Sequence, residues 1–163
     1  MSTDRSGTWL VFQLAEESYV VPVTRVDEVL EYTTPTCIPR SPVYLRGILN
    51  VRGRLIPVLD LRRRFGLAVA DITHDSRIVV INLDWEGDTV PLGVLVDAVS
   101  GVVDLPPEAL SDPPTLGRNG DGDGGFLTGT ARWNEEILLV LDPDSILTAE
   151  MVHRDFRNYS SRG

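Results

Sequence analysis

Two Arg-Gly pairs lie six residues apart near the middle of this chain, at Arg46-Gly47 and Arg52-Gly53, and a short apolar run follows each pair. Glycine accepts a positive φ angle and lets another backbone approach closely, so it suits a turn or a bulge between strands. Pro57 lies inside the second run, and because proline lacks an N–H group we expect it at a sheet edge or a bulge. The pattern predicts a β-hairpin in which Gly47 and Gly53 are structural turn residues.

The same pattern recurs later in the chain. The step at residues 45–47 is matched at residues 127–129, and in each copy an aspartate, Asp60 or Asp142, follows the glycine by thirteen residues. Two further apolar steps recur upstream in the same order, residues 26–29 as 96–99 and residues 9–12 as 78–81. Four landmarks in one order favour an internal repeat over the chance similarity of short apolar strings.

A repeat of about 70 residues is too long for a solenoid, so it predicts two sister subdomains, with the second copy beginning near residue 77. The additional residues of the second copy are placed in the Gly- and Asp-rich stretch 113–125. Either half alone would be marginally stable, so we expect the halves to share a core. The predicted boundaries are a disordered N-terminus at 1–8, a single domain at 9–150 and a polar C-terminal tail at 151–163.

Many short strands separated by turn residues indicate an all-β barrel or sandwich. Residues 24–30 are compatible with a short helix, since valines recur at helical spacing, or with a strand, since β-branched residues are frequent there. Asp60 is expected to cap one helical turn that ends at Gly66, and Asp142 to begin a similar turn. The arginines at 62–64 are interpreted as part of a solvated turn.

Charge is distributed unevenly along the chain. The formal net charge is −9, yet seven of the fifteen arginines lie in residues 40–64, where Asp60 is the sole acid. A basic patch on an acidic protein predicts an acidic partner surface. Nucleic acid is the alternative partner, but a net negative charge opposes binding to phosphates, so we expect none.

Cysteine usage and hydropathy indicate the compartment. Cys37 is the single cysteine, so no internal disulfide can form, and a reducing compartment is favoured. No apolar run approaches the roughly 20 residues that span a bilayer, and the first residues lack the basic-then-apolar pattern of a signal peptide. We therefore expect a cytoplasmic protein without direct membrane insertion.

No catalytic constellation is recognisable in the sequence. His74 and His153 have no neighbouring cysteine or carboxylate arrangement that resembles a triad, and the absence of lysine excludes a Walker-type phosphate loop. Residues 119–124 match the opening of a calcium loop, but Thr130 stands where that loop requires its bidentate glutamate. We expect no enzyme activity, no metal and no cofactor.

Residues 44–66, with the sequence YLRGILNVRGRLIPVLDLRRRFG, resemble the signature segment of the CheW-like family. The resemblance continues in the Val-Asp-Glu-Val step at 26–29 and, in the second half, in LGVLVDAVSGVVDL and LTG. It implies an all-β fold of two pseudo-repeated five-stranded SH3-like barrels packed together, with short helices at the edges. The Gly- and Asp-rich loop 117–125 and Gly101 depart from the family pattern.

The resemblance implies a non-catalytic adaptor that couples methyl-accepting chemoreceptors to a CheA-type histidine kinase in bacterial chemotaxis. The implied partners are the cytoplasmic hairpin tip of the receptor and the regulatory domain of the kinase. A scaffold in a chemosensory-like pathway for pili motility or second-messenger control is one alternative. A small β-barrel that binds nucleic acid through residues 40–64 is another.

The family match also carries over to a set of partner-binding residues. Glu28 and Arg52 match a charged pair implicated in receptor coupling, whereas without the family they would be interpreted as a surface ion pair worth about 0–1 kcal/mol. Arg46, Arg52 and Arg54 form a basic rim. The apolar groove candidates, for which core packing is the alternative interpretation, are Val26, Val96 and Val99.

Overall fold

The computed structural model describes residues 7–111 and 126–146, and within these ranges the chain forms eleven strands and one short α-helix. The strands are β1 (Gly7–Leu14), β2 (Glu17–Pro22), β3 (Val26–Glu31), β4 (Leu45–Val51), β5 (Arg54–Asp60), β6 (Arg77–Trp85), β7 (Asp88–Val96), β8 (Ala98–Leu105), β9 (Leu110–Ser111), β10 (Leu127–Trp133) and β11 (Glu136–Leu141). The helix α1 spans Leu61–Arg64, and 3-10 turns occupy Val23–Arg25, Pro107–Ala109 and Pro143–Ile146.

The strands form two curled sheets, which confirms the all-β prediction. One sheet has six strands in the order β8-β1-β2-β11-β10-β9, and the other has five in the order β3-β6-β7-β5-β4. The sixth strand of the first sheet is the two-residue β9, which the expected five-strand count did not include. We refer to the two bodies as the six-stranded barrel and the five-stranded barrel.

The two sheets do not follow the division of the sequence near residue 77, because each sheet takes strands from both segments. Strand β1 pairs antiparallel with β8, and β6 pairs antiparallel with β3. Strand β2 lies parallel to β11, and β5 lies parallel to β7. The hairpin of β1 and β2, from the first segment, therefore joins the sheet of β8 to β11. The hairpin of β6 and β7, from the second segment, joins the sheet of β3 to β5.

The largest hydrophobic cluster contains residues from both sheets. Phe12 and Tyr19 of the six-stranded sheet stack with ring centroids 5.6 Å apart, and both belong to the same cluster as Leu59 and Ile81 of the five-stranded sheet. Smaller clusters fill each barrel: one surrounds Trp9 in the six-stranded barrel, and two in the five-stranded barrel share Leu30 and Leu49. A core common to both barrels makes them one packed body.

Strands β4 and β5 form the predicted hairpin. Val51 pairs with Arg54 across a two-residue turn in which Arg52 and Gly53 both have positive φ, at 52° and 83°. This pair of angles is typical of the turn whose twist matches that of the flanking strands. Gly47 is not in a turn: it lies inside β4, where the register with β5 shifts.

The placement of Pro57 differs from the prediction of an edge or a bulge. Pro57 pairs with Ile48 of β4, and its strand β5 is an inner strand of the sheet. The parallel pairing of β5 with β7 begins only at Val58. The missing N–H group is tolerated inside the sheet because the pairing with β7 begins one residue later, at Val58.

Local sequence signals predicted most of the remaining elements. Residues 26–31 form strand β3, so the strand interpretation of 24–30 is correct, and helical geometry is confined to the turn at Val23–Arg25. Strand β1 begins at Gly7, so the prediction of disorder through residue 8 is wrong for Gly7 and Thr8. The Gly- and Asp-rich stretch and the C-terminal tail lie outside the described residues.

Asp60 and Asp142 cap the two predicted turns but differ in their surroundings. The Asp60 side chain is 7% exposed, accepts hydrogen bonds from the backbone N–H groups of Arg62 and Arg63, and lies near two guanidinium groups. Asp142 accepts one backbone hydrogen bond, from Asp144 at 3.2 Å. Burial raises the pKa of Asp142 above its ordinary value, because the charged form is poorly solvated there.

This difference predicts opposite effects of the same substitution at the two positions. Asp60→Asn should lower the free energy of unfolding by about 1 kcal/mol, because it weakens charge-assisted hydrogen bonds and leaves nearby arginines unpaired. Asp142→Asn should leave stability at pH 7 unchanged or slightly higher, because it removes a carboxylate whose charge is unfavourable in the fold. Urea unfolding of both variants at pH 7 makes the comparison.

The pH dependence provides the internal control for Asp142. A carboxyl whose pKa is raised in the folded state contributes stability when protonated and loses that contribution as pH rises through the folded pKa. The wild type should therefore approach the Asp142→Asn variant in stability as pH falls through that pKa. A gap that widens on acidification would contradict the assignment.

Candidate functional site

The two edge strands of the five-stranded sheet, β3 and β4, meet along a line that we call the closed seam. Glu28 lies on β3, and Arg52 lies in the turn between β4 and β5. Arg52 Nη1 and Nη2 donate to the two carboxylate oxygens of Glu28 at 2.9 and 2.7 Å. Hydrogen bonding to Glu28 raises the pKa of Arg52 above its ordinary value.

Two further contacts cross the closed seam. Arg54 Nη2 donates to Asp27 Oδ2 at 3.0 Å, and Arg46 Nη2 donates to the Tyr32 hydroxyl at 3.3 Å. The three arginines of the predicted basic rim therefore all reach residues that lie on β3 or directly after it. Their contacts bridge the two edges of the sheet.

The Glu28–Arg52 pair is too exposed to solvent to contribute much to the stability of the fold. The Arg52 side chain is 71% exposed and that of Glu28 is 19% exposed. An ion pair in such surroundings contributes only about 0–1 kcal/mol, because water screens the charges. The pair presents a fixed, bidentate arrangement of opposite charges at the surface, which suits recognition better than stability.

Ion pairs within the chain neutralise most of the basic patch at residues 40–64. Carboxylates lie within ion-pair distance of five of its seven arginines: Arg46, Arg52, Arg54, Arg62 and Arg63. Arg64 donates to the backbone oxygen of Ile146 at 2.8 Å, and burial lowers the pKa of its guanidinium. Sequence reasoning missed Asp27 and Asp97 as partners because each is more than twenty residues from its arginine along the chain.

Arg62 joins the two sheets, which corrects its interpretation as part of a solvated turn. Its Nε and Nη2 donate to the two carboxylate oxygens of Asp97 at 2.9 and 2.8 Å, and these hydrogen bonds raise the pKa of Arg62. Asp97 also accepts from the backbone N–H of Ala15, in the turn between β1 and β2, at 2.8 Å. We call these contacts the inter-sheet clamp.

Arg25 and Asp144 form another ion pair outside the clamp. The Asp144 carboxylate also accepts a hydrogen bond from the backbone N–H of Asp84.

All three candidate groove valines belong to or pack against the core between the sheets, but they differ in exposure. Val96 is 1% exposed and belongs to the core between the sheets, so the core-packing alternative is correct for this residue. Val26 and Val99 are half-buried and pack against the same core. Val26 lies opposite Ile81, and Val99 lies opposite Phe12. Of the three, only Val26 and Val99 retain surface for a partner.

The described residues contain no clustered set of metal-ligating side chains. Across residues 7–111 and 126–146, no group of three or more His, Cys, Asp or Glu side chains converges as metal ligands would. The calcium-like stretch at 119–124 lies outside these ranges. No helix within the described part of the chain has the length and apolar character needed to cross a bilayer.

Two curled sheets around a common core, with charged pairs at the surface, define an all-β module built of two barrels. The CheW-like domain family model matches residues 8–151. The chain belongs to the CheW-like family.

Individual relatives agree with this assignment. The chemotaxis protein CheW of Klebsiella aerogenes is 32% identical over 142 residues, which cover 87% of this chain and 82% of that protein. Protein PilI of Pseudomonas aeruginosa is 31% identical over 113 residues, or 68% of this chain and 61% of that protein. The crystal structure of the scaffolding protein TtCheW from Thermoanaerobacter tengcongensis matches with a TM-score of 0.74 and 32% identity, covering 84% of this chain and 89% of that one.

Proposed function

We propose that this chain is a non-catalytic adaptor that couples methyl-accepting chemoreceptors to a CheA-type histidine kinase. Its support is the family match over nearly the whole chain, together with relatives that are named chemotaxis and scaffolding proteins. In this proposal the partners are the cytoplasmic receptor tip and the regulatory domain of the kinase. The chain acts in the cytoplasm and reaches the membrane only through the receptor.

The observation that carries the receptor-binding part of the proposal is the Glu28–Arg52 pair. It is bidentate, exposed on the arginine side, and of little expected value to folding. Arg54 and Asp27 extend the same charged surface along the closed seam. We propose that a receptor helix recognises this surface, with Val26 and Val99 as adjoining apolar contacts and Arg46 at its margin.

A scaffold in a chemosensory-like pathway for pili motility or second-messenger control is the second candidate function. The similarity to protein PilI is the observation that favours it. The third alternative, nucleic-acid binding through residues 40–64, loses its main support because most of these arginines are paired. Phosphate binding depends on several cationic contacts, which paired arginines supply poorly.

Reversing the charge of Arg52 should separate partner binding from folding. Arg52→Glu places two carboxylates together, so we expect loss of co-sedimentation with receptor hairpin arrays, measured with and without the kinase regulatory domain. The melting temperature should fall by no more than about 4 °C, because the exposed pair contributes about 0–1 kcal/mol. The matched control is Arg132→Glu, the same change at an exposed arginine of β10, which should pellet as the wild type does.

Two outcomes would overturn the proposal. A wild-type chain that remains in the supernatant with every pairing of receptor and kinase domain contradicts the adaptor function itself. If the Arg52→Glu variant unfolds, Arg52 is a structural residue and does not belong to the partner surface. The adaptor function is then tested by the wild-type chain alone.

A further inference from the structure

The six-stranded barrel has a seam at the position equivalent to the closed seam. Its hairpin of β10 and β11 turns at Asn134 and Glu135, with φ of 49° and 67°, just as the hairpin of β4 and β5 turns at Arg52 and Gly53. The repeat landmarks Gly47 and Gly129 precede these turns by the same number of residues. Asn134 is therefore the counterpart of Arg52.

The side chains that close the first seam have no equivalents in the second. Along the repeat, Ala98 stands in place of Glu28 and Asn134 in place of Arg52, so the bidentate ion pair is missing. Ser100 stands in place of Leu30, which fills the five-stranded barrel. At the position of Arg54 the second copy has Glu136, which reverses the charge.

A cleft of about 370 Å3 opens at this second line, which we call the open seam. Strand β8 supplies one wall, from Ser100 to Val103, and Trp133, Glu136 and Leu138 supply the other. Its floor is polar: Gln13 donates to the Ser100 hydroxyl and accepts from the Ser18 hydroxyl. The polar floor and the small Ser100 leave a space that Leu30 fills in the other barrel.

The chemistry of the open seam favours a cation. Trp133 and Glu136 are direct cross-strand neighbours beside the turn, so their side chains lie on the same face. Glu136 is exposed, and it forms no ion pair with any residue in 7–111 or 126–146. An aromatic face beside an unpaired carboxylate matches a guanidinium, which stacks on indole and pairs bidentately with carboxylates.

The rim of the cleft is apolar at Val102 of β8, a lining residue that is 56% exposed. Glu135 and Asp104 add negative charge nearby and are also exposed. A segment that carries one arginine between small apolar residues would complement both the charge and the rim.

We propose that the open seam is a binding site for an arginine-bearing segment of a partner protein. The arginine enters between Trp133 and β8 and pairs with Glu136, while a flanking apolar side chain contacts Val102. The incoming guanidinium supplies from outside the cation that Arg52 and Arg54 supply from within at the closed seam. This surface is separate from the Glu28–Arg52 pair and does not depend on receptor coupling.

The test uses the isolated chain, labelled with 15N, and the blocked pentapeptide acetyl-Thr-Val-Arg-Val-Thr-amide. We expect saturable shifts of the β8 amides and of the Trp133 indole N–H signal. The same peptide with citrulline in place of arginine should bind roughly tenfold more weakly, because the charge-assisted hydrogen bond is lost. Glu136→Gln should weaken binding of the arginine peptide by a similar factor.

A matched variant and a filling variant sharpen the test. Glu135→Gln removes the adjacent exposed acid, which does not line the cleft, and should change the affinity by less than about twofold. Ser100→Leu should abolish the β8 shifts by occupying the cleft. The proposal is wrong if no β8 signal moves at millimolar peptide, if citrulline binds as well as arginine, or if the two glutamine variants weaken binding equally.

Discussion

Replacing Gly47 with alanine should lower the free energy of unfolding by about 3–5 kcal/mol, a large part of the stability of a domain of this size. A Cβ at this position would lie 2.2 Å from the backbone oxygen of Thr36 and 2.7 Å from its carbonyl carbon. The atoms it meets are backbone, which cannot rotate away as a side-chain end could. Thr36 and Ile48 also exchange two backbone hydrogen bonds of 2.9 Å at this point, and both would be disturbed.

Gly101 provides the matched control for this prediction. Its φ is 141°, against 142° for Gly47, but a Cβ on Gly101 would have no neighbour within 4 Å. Gly101→Ala should therefore show the cost of backbone conformation alone, about 1–3 kcal/mol. Urea unfolding of both variants measures the difference. Equal destabilisation would mean that the close approach of Thr36 contributes nothing.

Breaking the inter-sheet clamp should cost about 2 kcal/mol for either Arg62→Ala or Asp97→Ala. The side chains are 18% and 31% exposed, so each substitution leaves a partly desolvated charge without its partner. The Asp97 change also removes the acceptor for the backbone N–H of Ala15. The double variant should be less destabilised than the sum of the two, with a coupling of about 1 kcal/mol or more in urea unfolding.

The Glu28–Arg52 pair is the reference for this measurement, since both pairs are bidentate. The same cycle with Glu28→Ala and Arg52→Ala should give a coupling below about 1 kcal/mol, because the arginine is largely in water. If the exposed pair couples as strongly as the clamp, burial does not distinguish the two, and the assignment of Arg52 to a partner surface weakens.

The elements set by neighbouring residues were predictable from the sequence. The hairpin, the aspartate caps and the strand at 78–81 depend on turn residues, capping side chains and apolar runs that lie within a few positions of one another. The position of Pro57 inside the sheet was not predictable. It depends on where β5 begins to pair with the parallel strand β7, which comes about thirty residues later in the sequence.

The candidate site divides in the same way. The proposed role of Glu28 and Arg52 came from the family resemblance, and their contact could be expected on that ground alone. The clamp between Arg62 and Asp97 was missed because nothing near Arg62 in the sequence indicates a partner across the other sheet. The open seam required the register of β10 and β11, which aligns Asn134 with Arg52.

The interleaved sheets have a consequence for synthesis on the ribosome. Ser18 of β2 pairs with Leu138 of β11, so the inner edge of the first hairpin has no partner until most of the chain has been translated. At ordinary elongation rates this interval is about ten seconds, during which one edge of the six-residue strand β2 waits for its partner. The delay follows from the order of the strands in the sheet rather than from any one residue.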